Sequence, residues 1–313
     1  MRYTTILALG LGLGCSTGAL GLGCSATAPD TTFGNTGGSN QGEGGAGGND
    51  TTASSSSTGA GGTGGEGGGF NFPMDGGAGG PVEMPGEVFG HSDVTLYKLE
   101  PYSKQVTVVG DFQGCSSVID LAIDKDSKII ATTFTAIYWI DKTNAKCTKI
   151  ASGSYPNSLS FVPAGTLDPL EDVLVGYEDA NYVRIDTNTG AKTTLGALGS
   201  GFVSSGDIVS VKGGGTYLTV KGNGCADCLL QVDPKTGSMV KNWGPTGHSK
   251  VFGVAFWAGS VYGFTDFGEL FELQFLNGQL VVGGTIQIPN APADLSFWGA
   301  GSTTIAPPLP PPQ

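Results

Sequence analysis

The chain has 313 residues, of which 55 are Gly, and a formal net charge of −12. Binding to nucleic acid requires Lys and Arg to neutralise phosphates, so an acidic chain whose only Arg residues are Arg2 and Arg184 is a poor candidate for it. Two His residues, His91 and His248, leave little for His-based catalysis or a multi-His metal site. Only residues 92–306 are rich enough in large apolar side chains to build a core, which suffices for one domain.

Residues 1–23 are typical of a signal peptide. Met1-Arg2 supplies a positive start, and the segment from Thr5 to Gly23 carries no charged side chain. A transmembrane helix is the alternative, but each Gly in this segment weakens a helix by about 1 kcal/mol, and no basic cluster follows. We therefore expect an exported protein.

The sequence Gly-Leu-Gly-Cys occurs twice, ending at Cys15 and at Cys24. Small residues before a Cys resemble the lipobox of bacterial lipoproteins, although Gly stands three positions before the Cys, where Leu is usual. The resemblance implies cleavage before Cys24 and a diacylglycerol on its thiol, since cleavage before Cys15 would leave a second apolar run. Ser25 after the Cys favours anchoring to the outer membrane, on its periplasmic or cell-surface side. Ordinary soluble secretion is the alternative.

Residues 24–91 consist largely of Gly, Ser, Thr and Asn. Such a segment cannot bury enough apolar surface to offset the entropy lost on ordering, so it is predicted to be a disordered tether. The run Phe70–Met74 is its one apolar island. At the other end, residues 307–313 form a Pro-rich tail, which we expect to be frayed and solvated.

Between residues 92 and 306, a pattern of short strands recurs with a period of about 45 residues. One recurring element is a strand that ends in a polar turn: Leu96–Glu100, Tyr138–Asp141, Tyr182–Asp186, Leu230–Asp233 and Leu270–Gln274. A second element follows each hairpin, beginning near Val118, Ser158, Gly206, Phe252 and Ala293. Four short strands per repeat are the signature of β-propeller blades.

The strand count predicts an all-β fold, a β-propeller of five four-stranded blades, with a β-sandwich as the alternative. The chain would start with two outer strands (Asp93–Phe112) and end with two inner strands (Ala293–Ala306), and both ends would complete one blade. This mixed closure avoids an open sheet edge. The repeat pattern from Asp93 to Ala306, about two thirds of the chain, resembles the propeller repeats of the Tyr-Arg-Ile-Asp-Thr-Gly type in bacterial secreted and lipid-anchored proteins. That resemblance implies the fold and no particular activity.

Four Cys remain after Cys15 is removed and Cys24 is acylated, and an even number in an exported chain suggests two disulfides. Cys225 and Cys228 lie in a predicted turn, where a redox pair or half a zinc site are the alternatives. A redox pair needs a helix N-terminus and zinc needs four ligands, and neither is evident, so we expect a disulfide. Cys115 and Cys147 then pair by elimination.

Alignment of the predicted inner strands forms one column at the mouth of the central channel: Asp120, Ser158, Asp207, Gly253 and Asp294. The carboxylates of Asp120, Asp207 and Asp294 could bind Ca²⁺ or a sugar there, or they could cap backbone N–H groups. No other cofactor is expected. His248 lies on a loop of the same face, where it could act as a general base or be solvated.

Several aromatic residues could stack on carbohydrate, although core packing is the default for most of them: Trp139, Tyr155, Trp243, Phe252, Trp257, Phe267 and Trp298. We expect a cell-envelope lipoprotein whose propeller is a binding module for glycan, peptide or protein, rather than an enzyme. A metal-assisted hydrolase or lactonase with its site at the hub is one alternative. A purely structural envelope protein is the other.

Overall fold

The computed structural model describes residues 85–310, which form a five-bladed β-propeller, as predicted. The strands, in chain order, are β1 (Val88–His91), β2 (Thr95–Leu99), β3 (Val106–Asp111), β4 (Val118–Ile123), β5 (Ile129–Thr133), β6 (Ala136–Ile140), β7 (Cys147–Ser152), β8 (Leu159–Val162), β9 (Val173–Glu178), β10 (Asn181–Ile185), β11 (Lys192–Ala197), β12 (Val203–Val211), β13 (Gly215–Gly222), β14 (Cys225–Val232), β15 (Met239–Pro245), β16 (Val251–Trp257), β17 (Ser260–Thr265), β18 (Leu270–Leu276), β19 (Gln279–Ile286) and β20 (Gly299–Ser302).

Each blade is an antiparallel sheet of four strands, numbered here from the axis outward. Blade 1 contains β20, β1, β2 and β3, and blades 2 to 5 contain β4–β7, β8–β11, β12–β15 and β16–β19. Inner strands are buried on both faces, as in β4, whereas outer strands such as β7 are mostly exposed. The apolar residues of adjoining blades pack between the sheets and form the core.

Both chain ends complete blade 1, but the N-terminal end contributes three strands and the C-terminal end one, whereas two from each end were predicted. The inner strand β20 pairs with β1, from Val88 opposite Ser302 to His91 opposite Gly299. The propeller therefore begins with a strand that the sequence assigned to the tether, and the segment Ala293–Phe297, predicted as an inner strand, is a loop. β20 reads Gly-Ala-Gly-Ser and lacks β-branched or aromatic residues, so only its tertiary contacts make it a strand.

The polar turns between the third and fourth strands are built as the sequence predicts. The carboxylates of Asp141, Asp186 and Asp233 each accept the backbone N–H two residues ahead, at 2.7–2.9 Å. Gly190 and Gly237 follow with φ of 70° and 69°, a region that favours Gly. These turns fix the hairpin register of their blades.

Because the strands alternate in direction, the connections fall on two faces of the propeller. The upper face carries the connections between blades and the turns between second and third strands. It includes residues 112–117, 134–135, 246–250, 266–269 and 287–298. The tail face carries the remaining turns, together with residues 85–87 and 303–310.

The C-terminal segment 303–307 lies across the axis on the tail face and contacts all five blades. Thr303 donates its N–H to Glu87 O of blade 1 (3.0 Å) and forms a parallel β-bridge with Ile123 of blade 2. Thr304 Oγ1 donates to Asp172 Oδ2 of blade 3 (2.6 Å), and Thr304 O accepts from Lys212 N of blade 4 (2.9 Å). Pro307 O accepts from Ala258 N of blade 5 (2.7 Å). The expectation of a frayed tail from residue 307 is therefore wrong for Pro307, which is buried; Pro308–Pro310 are exposed.

Both predicted disulfides are present. The loop disulfide joins Cys115, in the connection before β4, to Cys147 at the start of β7, with Cα atoms 5.8 Å apart. The hairpin disulfide joins Cys225 and Cys228 on β14, with Cα atoms 5.9 Å apart. The loop disulfide thereby fixes an upper-face connection to the outer strand of blade 2.

The predicted signal peptide, the lipidation site Cys24 and the apolar run Phe70–Met74 lie outside the described residues. Within residues 85–310, no helix is long and apolar enough to cross a membrane.

Candidate functional site

Two of the predicted hub carboxylates meet at the propeller axis. Asp120 on β4 and Asp207 on β12 are fully buried and hydrogen-bonded to each other. Asp120 accepts the N–H groups of Leu121 (2.8 Å) and Leu159 (2.7 Å). Two members of the predicted column therefore meet, and we call their two carboxyls the hub dyad.

Asp207 repeats the arrangement on the opposite side of the hub. It accepts the N–H groups of Ile208 (2.6 Å) and Val254 (2.8 Å). Together with the two amides on Asp120, one N–H from the inner strand of each of blades 2 to 5 ends on the hub dyad. The dyad therefore satisfies backbone donors that would otherwise be buried without partners.

Burial raises the pKa of both carboxyls well above the usual value. The negative charge of Asp207 raises the pKa of Asp120 further, whereas backbone N–H groups oppose the shift at Asp207. Two buried carboxyls in contact hold one proton more readily than two charges.

The third predicted hub ligand, Asp294, is exposed in a turn of the loop before β20. Gly299 occupies the corresponding position of blade 1, beside Asp120. Within residues 85–310, no three His, Cys, Asp or Glu side chains form a set that could hold a metal ion. The four N–H groups directed at the hub dyad favour an anion over a cation, so these residues do not fit the Ca²⁺ site considered from sequence.

His91 is a hub residue that the sequence interpretation missed, because it was assigned to the tether. Its ring is fully buried, and Nδ1 donates to the carbonyl of Ser92 at 2.7 Å, which leaves Nε2 without a hydrogen. Within the described part of the chain, Nε2 has no hydrogen-bond partner. A Cβ atom at Gly299 would stand 2.5 Å from Asp120 Oδ1 and no farther from His91 Nε2, so both groups border the same narrow space.

His248 lies on the upper face, as predicted, but away from Asp207. Its ring stacks on Phe271 with centroids 3.7 Å apart, and Nδ1 lies 3.6 Å from Glu269 Oε2. The ring is mostly buried by this packing, so it is neither a solvated side chain nor a base beside the hub dyad.

The upper face of blade 2 contains an open cleft of about 550 Å³. Its lining comes from the connection before β4 and from the turn between β5 and β6: Gly114, Cys115, Ser116, Ser117, Thr133, Phe134, Thr135 and Tyr138. Phe134 is 67% exposed at its rim. We call this feature the blade 2 cleft; nothing in the sequence pattern had singled out Phe134.

The predicted aromatic candidates divide between core and surface. Trp257 and Tyr155 are buried, and Trp243 packs against Phe275 with ring centroids 4.6 Å apart. Phe267 is 62% exposed on the upper face of blade 5, in the turn that corresponds to that of Phe134 in blade 2. Most of the aromatic residues therefore build the core, and Phe134 and Phe267 are surface candidates.

No protein-family model and no curated protein sequence matches this chain. Similar folds occur among solved structures. A chain in the crystal structure of a nidogen/laminin complex is 10% identical, with 66% of this chain and 76% of that chain covered and a TM-score of 0.42. A protein of unknown function from Bacteroides caccae is 11% identical, with 70% and 98% covered and a TM-score of 0.40. TolB from Acinetobacter baumannii is 15% identical, with 67% and 51% covered and a TM-score of 0.41. These values describe a shared fold and carry no argument about ligands.

Proposed function

We propose that the chain is an exported, lipid-anchored envelope protein whose propeller is a non-catalytic binding module. The observation that carries this proposal is the position of the chain ends. The chain enters at residue 85 and leaves at residue 310 on the tail face, and a tether to Cys24 would join that face. The blade 2 cleft lies on the opposite, upper face.

The state of the hub dyad supports binding over catalysis. A hydrolase at this position would need carboxylates free to act on a substrate or a metal. Both oxygens of Asp120 and of Asp207 instead accept backbone N–H groups, and both side chains are fully buried. The dyad is accounted for by its role in joining the inner strands.

The anchor is tested by metabolic labelling with a fatty acid in the producing cells. Label should be incorporated by the wild-type chain and by a Cys15→Ser variant, and should be absent from Cys24→Ser. Labelling that persists in the Cys24→Ser variant would show that the anchor is not at Cys24.

The binding role is tested with the full chain carrying Cys24→Ser, so that lipid insertion does not contribute. Saturable co-sedimentation with isolated envelope fragments is expected. An added Phe134→Asp substitution on the upper face should abolish it, whereas Val240→Asp, at an equally exposed site beside the tail-face turns, should not. The opposite pattern would refute the face assignment, and absence of saturable binding would favour a purely structural role.

A further inference from the structure

The blade 2 cleft has an unusual lining for so acidic a chain. Of its eight residues none is charged, and five carry hydroxyl groups: Ser116, Ser117, Thr133, Thr135 and Tyr138. The remaining large side chain is the exposed ring of Phe134. A cleft on the tail face, of about 610 Å³, is by contrast bordered by Lys212, Asp233 and Lys235.

The walls of the blade 2 cleft are fixed by several independent contacts. The loop disulfide holds the connection before β4 to β7, and Gln113 exchanges backbone hydrogen bonds with that region, accepting from Cys147 at 2.8 Å and donating to Ala145 at 3.1 Å. On the other side, Thr135 accepts from the N–H of Gly153 at 2.9 Å. A site that is already rigid loses less entropy when a ligand binds.

We propose that the blade 2 cleft binds a neutral saccharide; this rests on the binding function proposed above and names its ligand class. A sugar ring presents an apolar C–H face that can pack on Phe134 and hydroxyl groups that can pair with the hydroxyls of Ser116, Ser117, Thr135 and Tyr138, each of which both donates and accepts. The Thr133 hydroxyl is already bonded within its own turn. A volume of about 550 Å³ lies within the range of small-molecule sites. With no cation in the lining, anionic sugars gain no charge partner.

Blade 5 supplies an internal comparison. Phe267 lies in the corresponding turn and has nearly the same exposure as Phe134, but the Lys250 ammonium lies 4.7 Å from its ring centroid, and Asp266 pairs with that Lys at 2.9 Å. The surroundings of Phe267 are charged where those of Phe134 are neutral. Separate substitutions of Phe134 and Phe267 therefore distinguish a saccharide site from nonspecific binding to exposed aromatic rings.

The experiment uses the purified full chain in a detergent without a sugar headgroup. A glycan array of neutral, sialylated and sulfated oligosaccharides is probed first, followed by calorimetric titration with the best neutral trisaccharide. Neutral glycans should dominate. Phe134→Ala should weaken binding by about ten-fold or more, as expected for loss of the main apolar contact with the ligand. Tyr138→Phe should weaken it less, and Phe267→Ala should leave it within about two-fold.

Preference for anionic glycans, or unchanged affinity in Phe134→Ala, would overturn the saccharide assignment. Thermal unfolding of each variant should match that of the wild type, since both Phe side chains are exposed. If no glycan binds while envelope fragments still bind through the upper face, the ligand class is wrong and the binding function stands. If envelope binding is also absent, the proposed function itself fails.

Discussion

Replacement of His91 by Gln tests whether the hub holds a neutral imidazole. Burial lowers the pKa of His91 from 6.5 to about 4 in the folded chain. Between these two values the unfolded chain binds a proton that the folded chain does not, so stability is lost as the pH falls from 6.5 towards 4. One pKa unit corresponds to about 1.4 kcal/mol, so the full effect is on the order of 3 kcal/mol.

The wild-type free energy of unfolding should therefore fall by about 3 kcal/mol more than that of His91→Gln between pH 7 and pH 4. Urea unfolding, followed by Trp fluorescence at several pH values, gives both curves. The raised pKa of the hub dyad acts in the opposite sense, because stability it contributes at low pH is lost as the pH rises. The dyad is present in both chains, and its direct contribution cancels in the difference.

A constant difference between wild type and His91→Gln across this pH range would refute the reasoning. It would mean that the hub accommodates the imidazolium, with Asp120 ionised beside Nε2. An Asp120→Asn substitution in each background checks this explanation. If the Asp stabilises the imidazolium, the pH dependence attributed to His91 should emerge only when that carboxylate is removed.

Three further changes have expected outcomes. Gly299→Ala should lower the free energy of unfolding by about 3 kcal/mol, because its Cβ would collide with the hub dyad. Gly284→Ala, whose Cβ would meet no atom within 4 Å, should change it by less than about 0.5 kcal/mol. Equal effects of the two substitutions would contradict close packing at the axis. Removing the loop disulfide should cost about 4 kcal/mol and removing the hairpin disulfide about 2 kcal/mol, since they close loops of different length; a reversed order in urea unfolding would count against this account. Thr304→Val should cost about 2 kcal/mol by removing a hydrogen bond to a carboxylate, and an unchanged urea midpoint would show that the tail contributes little.

The period of the sequence was sufficient to predict five blades because several blades repeat the same local chemistry. Asp141, Asp186 and Asp233 end their strands in turns that need no distant partner, so their pattern is visible in the chain. Blade 1 is different, since its inner strand is short, rich in Gly and defined by contacts with β1. The segment Ala293–Phe297 matches the inner-strand sequence pattern better than β20 does. For this reason the inner strand of blade 1 was predicted at residues 293–297 instead of at β20.

The candidate site was predictable in part for the same reason. Asp120 and Asp207 occupy equivalent places in their repeats, so alignment brought them together. His91 reaches the hub from the second strand of blade 1, where no alignment of inner strands could find it. The blade 2 cleft joins hydroxyl-bearing residues from two separate connections around Phe134, and their proximity depends on the three-dimensional arrangement of the blade and on the loop disulfide.

The position of β20 and of segment 303–307 gives folding a direction along the chain. A nascent polypeptide that ends before residue 299 has four finished blades and one that still lacks its innermost strand. Segment 303–307, which contacts all five blades, is complete only after Pro307 has been added. The ring is therefore closed by residues that are synthesised after every other strand of the propeller.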